Sequence, residues 1–104
     1  MFLSWRDVQA EGPDKFYWDY MDATVIAARE HNLGMAPAIV YAPLWAVAPE
    51  NRSDEGAYAF PPSHVSYFGR FVSEVVERYK PGGILARERG WADGYGITSY
   101  EIGH

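Results

Sequence analysis

Met35 to Ala46, reading MAPAIVYAPLWA, decides how the rest of the chain is understood. The run is apolar in both alternating registers, so a strand built from it buries both faces, as strands of covered parallel sheets do. It ends on an aromatic and a small residue, Trp45 and Ala46, and a polar loop follows. Helical patterns stand on either side and shorter strand patterns beyond those, giving strand, helix, strand, helix, strand. That alternation predicts an α/β fold of three parallel strands alternating with two helices. In such folds chemistry gathers in the loops that follow the strands.

Upstream, Met1 to Val8 reads as the end of a strand that enters the loop Gln9 to Pro13, where Glu11, Gly12 and Pro13 break the pattern. Asp14 is the expected N-cap of a first helix of about four turns, with Tyr17, Met21, Val25 and Ala28 on one face. Asn32 should close it in the left-handed conformation, with Leu33 packing back on the last turn. Downstream, Val47 to Pro62 forms a loop longer than most connections in compact domains, a length associated with binding. Ser63 is the expected cap of a second helix, whose Phe68, Phe71, Val72, Val75, Val76 and Tyr79 keep the i, i+3, i+4, i+7 spacing. Lys80, Pro81, Gly82 and Gly83 end it, and a charged connection from Ile84 to Gly96 leads to a third strand, Ile97 to Ile102. Domains rarely finish in mid-strand, so residues 1–104 are read as one partial domain truncated at both ends.

A length of 104 residues with 48% hydrophobic and 16% aromatic content allows one modest core and argues against disorder. The formal net charge of −5 leaves no basic footprint, which argues against nucleic acid and favours an uncharged or polar small ligand. No window approaches the roughly 20 apolar residues of a membrane span, and MFLSWRDVQ lacks a basic segment followed by an apolar stretch. The absence of cysteine removes disulfides and thiolate metal sites and leaves the compartment open.

Trp5 and Trp45 lie at or just after strand ends, where flat aromatic faces can stack on sugar rings. Core packing is the competing reading for both, the better one for Trp91, and sufficient for Trp18. Glycoside hydrolysis needs two facing carboxylates. Glu101 in the last strand, and Asp7 and Glu11 after the first, make no convincing pair, while Asp19, Glu30, Glu74 and Glu77 read as solvated helix faces. His31, His64 and His104 share no metal-ligand spacing. Gly94, Tyr95 and Gly96 precede a strand where a phosphate cradle requires a helix N-terminus. The sequon Asn51, Arg52, Ser53 is too short a pattern to carry weight. Neither a metal nor a cofactor is expected.

Several phrases combine: Trp5 to Pro13 (WRDVQAEGP), Tyr17 to Asp22 (YWDYMD), Tyr41 to Ala46 (YAPLWA), Pro61 and Pro62 before a helix ending Glu77, Arg78, Tyr79, and finally Tyr100, Glu101, Ile102. In this order and spacing the chain resembles the retaining glycoside hydrolases of the large (β/α)8 clan, cellulase-like and xylosidase-like members above all. The resemblance covers nearly the whole chain and implies strands two to four of a TIM barrel. It also implies a carbohydrate substrate whose O-glycosidic bonds are cleaved by double displacement.

In that family the last phrase continues as an aromatic or glycine, then Asn, Glu, Pro, with the Glu as acid/base. Here Gly103 takes the first position, His104 stands at the Asn, and the Glu would come next. The family nucleophile belongs to a seventh strand, and a family arginine would fall before Met1, so Arg6 is not its match. The likeness therefore transfers Trp5 and Trp45 as sugar-contacting aromatics and Glu101 as an inward polar residue beneath the acid. No residue here takes a catalytic role, and the isolated chain is expected to be inactive. The alternative is a non-catalytic carbohydrate-binding module, or a small α/β module that self-associates through open sheet edges.

Overall fold

The computed structural model of the chain describes residues 2–54, 56–57 and 61–102. The readings made at Met1, Gly103 and His104 lie outside the described residues. In chain order the elements are β1 (Phe2–Ser4), α1 (Trp5–Val8), α2 (Asp19–Glu30), β2 (Ala38–Val40), 3-10 turns at Leu44–Ala46 and Pro49–Asn51, α3 (Val65–Tyr79), α4 (Ile84–Arg89) and β3 (Glu101–Ile102). The strands form one parallel sheet in the order β1-β2-β3, so the fold is mixed α/β with the Met35–Ala46 segment supplying its middle strand.

Phe2, Ala38 and Glu101 lie side by side in register, as do Leu3, Ile39 and Ile102. Alternation sends these two rows to opposite faces. Leu3 and Ile39, buried to 0% and 2% exposure, share one core with Met21 and Val25 of α2 and with Phe71, Val75 and Tyr79 of α3. Each such side chain contributes about 1.5–3 kcal/mol through burial. Parallel crossovers are right-handed, and the strand order never reverses, so both connecting helices cover the same face. The other face is left open at Phe2, which is 68% exposed, and at the exposed Glu101.

The middle strand is shorter than its apolar run. Pro37 has no N–H to give a ladder, and Tyr41 turns to a φ of 60° immediately after Val40. Trp5–Val8 also departs from the expected strand: the Ser4 hydroxyl accepts from the Asp7 N–H at 3.4 Å and starts the helical turn α1. Asp14 does not cap the first long helix. The Tyr17 N–H is drawn to the Val8 carbonyl at 2.7 Å, which delays α2 to Asp19, and Asp14 instead pairs with Arg70 at 3.4 Å. Asn32 does end the helix in the left-handed conformation, with φ 56°. The Asn32 N–H donates to the Arg29 carbonyl and the Leu33 N–H to that of Ala28, at 3.0 and 2.8 Å, a Schellman pairing that leaves the Leu33 side chain 58% exposed.

Ser63 is likewise not the cap of α3, whose capping residue is His64 with no side-chain bond. Both the Ser63 N–H and hydroxyl donate to the Ala46 carbonyl, at 2.7 and 3.1 Å, closing the long loop on itself beside a Val47–Pro62 bridge. The apolar stripe of α3 holds as its spacing predicts, with Phe71, Val75 and Tyr79 buried. The connection after it contains α4, which the run of charges conceals: Leu85 and Ala86 are buried, and Gly90 supplies a left-handed C-terminus at φ 70°. Gly96 lies so close to the backbone of Pro81 that a Cβ would meet its nitrogen at 2.3 Å, a packing role for the G-x-G. The third strand shrinks to Glu101–Ile102 because the Ile97 N–H donates to the Tyr79 carbonyl at the end of α3, at 2.7 Å, before the chain reaches the sheet.

Candidate functional site

Where the parallel strands end, the backbone leaves the sheet and its loops converge. β1 ends at Ser4 and passes into α1. β2 ends at Val40 and passes through Tyr41, Ala42 and an extended Pro43 into the turn Leu44–Ala46. The Arg6 N–H donates to the Tyr41 carbonyl at 2.8 Å, joining the two exits beyond the last ladder pair.

Gln9 then binds both tryptophans that the sequence places here. It is buried to 2% exposure, and its Oε1 accepts the Trp5 Nε1–H at 2.7 Å while its Nε2 donates to the Pro13 carbonyl at 3.0 Å. The Gln9 backbone carbonyl accepts the Trp45 Nε1–H at 2.6 Å. A buried amide satisfied on both sides avoids the penalty of an unpaired polar group and fixes the groups it touches.

Trp5 is 2% exposed, lies nearly parallel to Phe71 at 5.4 Å between centroids, and meets Phe68 at the same separation. Its ring belongs to the core. Trp45 stands edge-on to Trp5 at 5.9 Å and to Tyr67 at 5.3 Å, and remains half-buried. Edge-to-face packing of this kind holds rings in place. The Arg52 guanidinium donates to the Val47 and Trp45 carbonyls at 2.8 and 3.1 Å, pinning the loop after β2.

Among the described residues the carboxylates of Glu11, Asp7 and Glu101 have separate surroundings. Glu11 accepts a hydrogen bond from the Tyr17 hydroxyl, which together with slight desolvation raises the pKa of that phenol. Asp7 is exposed at the start of α1, and Glu101 stands on the open face of the sheet. Trp18 stacks on Phe16 and lies under Arg78, and Trp91 lies under Arg29 at 4.7 Å, both in packing roles. Among the described residues no group of three or more His, Asp or Glu is placed to hold a metal ion, and no helix is long and apolar enough to cross a membrane. An open apolar groove of about 440 Å³ runs elsewhere, along α2 past Tyr20, Ala23, Ala27 and Leu33.

Two residues of this edge escaped the sequence reading. In the sequence Gln9 reads as the first residue of a loop, and only the helical turn at Trp5–Val8 brings it to the same side as Trp5, four positions earlier. Tyr41 reads as one more apolar position of a long strand. The chain matches no protein-family model, no curated protein and no solved structure.

Proposed function

We propose that this chain forms three successive strands of a (β/α)8 barrel belonging to a retaining glycoside hydrolase, and that carbohydrate meets it along the C-terminal edge of the sheet. The observation that carries the reading is the strand order β1-β2-β3 with the packing of α2 and α3 against one face. A singly wound sheet of this kind continues naturally into a barrel, whereas a doubly wound sheet reverses its order and distributes helices over both faces. The row of Phe2, Ala38 and Glu101 would then face the barrel interior. The resemblance of its sequence phrases to the glycoside hydrolases is what supports the chemistry beyond the fold, which by itself hosts many activities.

Within this reading Trp45 is the aromatic offered to a sugar, and Trp5 supports it from beneath through their edge contact and their common tie to Gln9. Double displacement requires an acid/base and a nucleophile about 5–5.5 Å apart. Neither role falls to a residue of this chain, so binding is expected here and turnover is not. The test is a titration of the isotope-labelled chain with xylohexaose and cellohexaose, read at the Trp45 indole, alongside an aryl-glycoside assay. Perturbation of Trp45 without hydrolysis supports the reading. A silent Trp45 with both sugars, or turnover that depends on Glu101 or Glu11, overturns it. The exposed Phe2 and Ile102 favour a second reading, a self-assembling α/β module without carbohydrate chemistry.

A further inference from the structure

Tyr41 has a backbone conformation that suits a different residue. Its φ is 60°, in the left-handed region, where a side chain's Cβ crowds the following carbonyl oxygen. Elsewhere the chain meets this requirement with residues suited to it: Gly56, Gly82, Gly90 and Gly94, and Asn32 at the end of α2. The geometry of the turn therefore explains the need for a left-handed residue after β2, but not the choice of tyrosine. Burial does not explain it either, because the side chain is 47% exposed. Its hydroxyl makes no hydrogen bond among the described residues, and the contact that fixes Tyr41, the bond from the Arg6 N–H, uses the backbone carbonyl that any residue would supply.

What remains is the position. Tyr41 is the first residue beyond the central strand, at its C-terminal end, where parallel sheets receive ligands. An unfavourable backbone angle held in place by its surroundings at such a point is the usual mark of a residue kept for function. We infer that Tyr41 is a ligand-contacting residue of the strand-end site, offering its ring and hydroxyl to a carbohydrate. This rests on the carbohydrate reading of the same edge.

The test uses the full chain and the variants Tyr41→Gly, Tyr41→Ala and Tyr41→Phe, with xylohexaose and cellohexaose as probes and thermal unfolding as a second measurement. Tyr41→Gly and Tyr41→Ala should each bind the preferred sugar about tenfold more weakly, the size expected for losing one aromatic contact. Tyr41→Phe, which keeps the ring, should stay within about threefold of the wild type. Tyr41→Gly should melt about 4 °C above Tyr41→Ala, because only glycine is at ease at this φ and neither variant carries the ring. If the wild type binds and Tyr41→Gly binds equally well, the inference fails and the carbohydrate reading stands. If the wild type binds neither sugar, both fail. An Ala variant as stable as the Gly variant removes the strain on which the inference is built.

Discussion

Arg78 of α3 grips Asp22 of α2 side-on, its Nε donating to Oδ1 at 2.8 Å and its Nη2 to Oδ2. The Tyr79 hydroxyl donates to the same Oδ1 at 2.7 Å, and Arg78 also reaches Glu88 of α4 at 3.3 Å. One carboxylate thus ties together the two helices that cover the sheet. The Arg78 and Asp22 side chains are only 14% and 19% exposed, which separates this pair from the solvent-screened bridges such as Arg70–Asp14. The carboxylate holds the Arg78 guanidinium firmly in its charged form.

Removing Asp22 takes the acceptor away from three donor groups, two on the Arg78 guanidinium and the Tyr79 hydroxyl, in a partly buried place. Asp22→Ala should lower the unfolding free energy by roughly 2–3 kcal/mol, and Arg70→Ala by less than about 0.5 kcal/mol. Urea unfolding of the two variants checks the contrast. Equal, small losses would show that the Arg78 pair is no better than a surface bridge.

Alkaline pH should destabilise the fold in a defined window. Burial pushes the Tyr100 phenol up to about 12, and burial together with the Asp22 hydrogen bond raises that of Tyr79 further. Below about pH 10 these groups are protonated in both states and stability is unaffected. Above it the unfolded chain releases protons that the folded chain retains, so stability falls as pH rises toward about 12 for Tyr100 and beyond for Tyr79. Tyrosinate absorbance during the titration should show late-ionising phenols, and urea midpoints should fall between about pH 9 and about pH 11. A flat midpoint across that range would contradict the burial of these rings.

The Tyr100 hydroxyl is buried without a hydrogen-bond partner among the described residues. Tyr100→Phe deletes the unpaired group and keeps the ring, so it should raise stability by about 1 kcal/mol at neutral pH and soften the alkaline fall. A loss of stability would mean that the hydroxyl has a partner.

Gln9→Leu should lower stability by about 2 kcal/mol, since it strands the Trp5 indole N–H in the core. Hydrogen exchange gives the sharper readout. The Trp5 indole proton should exchange faster in the variant, whereas that of Trp45, bonded to the backbone carbonyl at position 9, should stay protected. Faster exchange at both would indicate that the whole edge has loosened.

The open face of the sheet carries an exposed Phe2 beside Ala38 and Glu101. Light scattering should therefore show concentration-dependent association of the wild-type chain, reduced in Phe2→Lys, which places a charge on that face. A monodisperse wild type indistinguishable from Phe2→Lys would remove self-association as a property of the sheet.

The alternation of strand and helix, the central place of the Met35–Ala46 segment, the buried stripe of α3 and the left-handed end at Asn32 are all legible in the order of residues. These are local matters, written in the spacing of apolar residues and in the short list of residues that suit a given backbone angle. Where the elements begin and end was decided only in three dimensions. Asp14 and Ser63 are sound capping residues, yet Arg70 claims one and the Ala46 carbonyl the other. The edge of the sheet depended on tertiary structure even more. Trp5 and Trp45 are alike in the sequence, but Phe71 covers one and leaves the other half-open, and Gln9 acquires its role only because a turn of helix brings it beneath both. Tyr41 reads as strand until the chain must turn out of the sheet, and the strain that sets it apart belongs to the backbone path, which side-chain patterning does not encode.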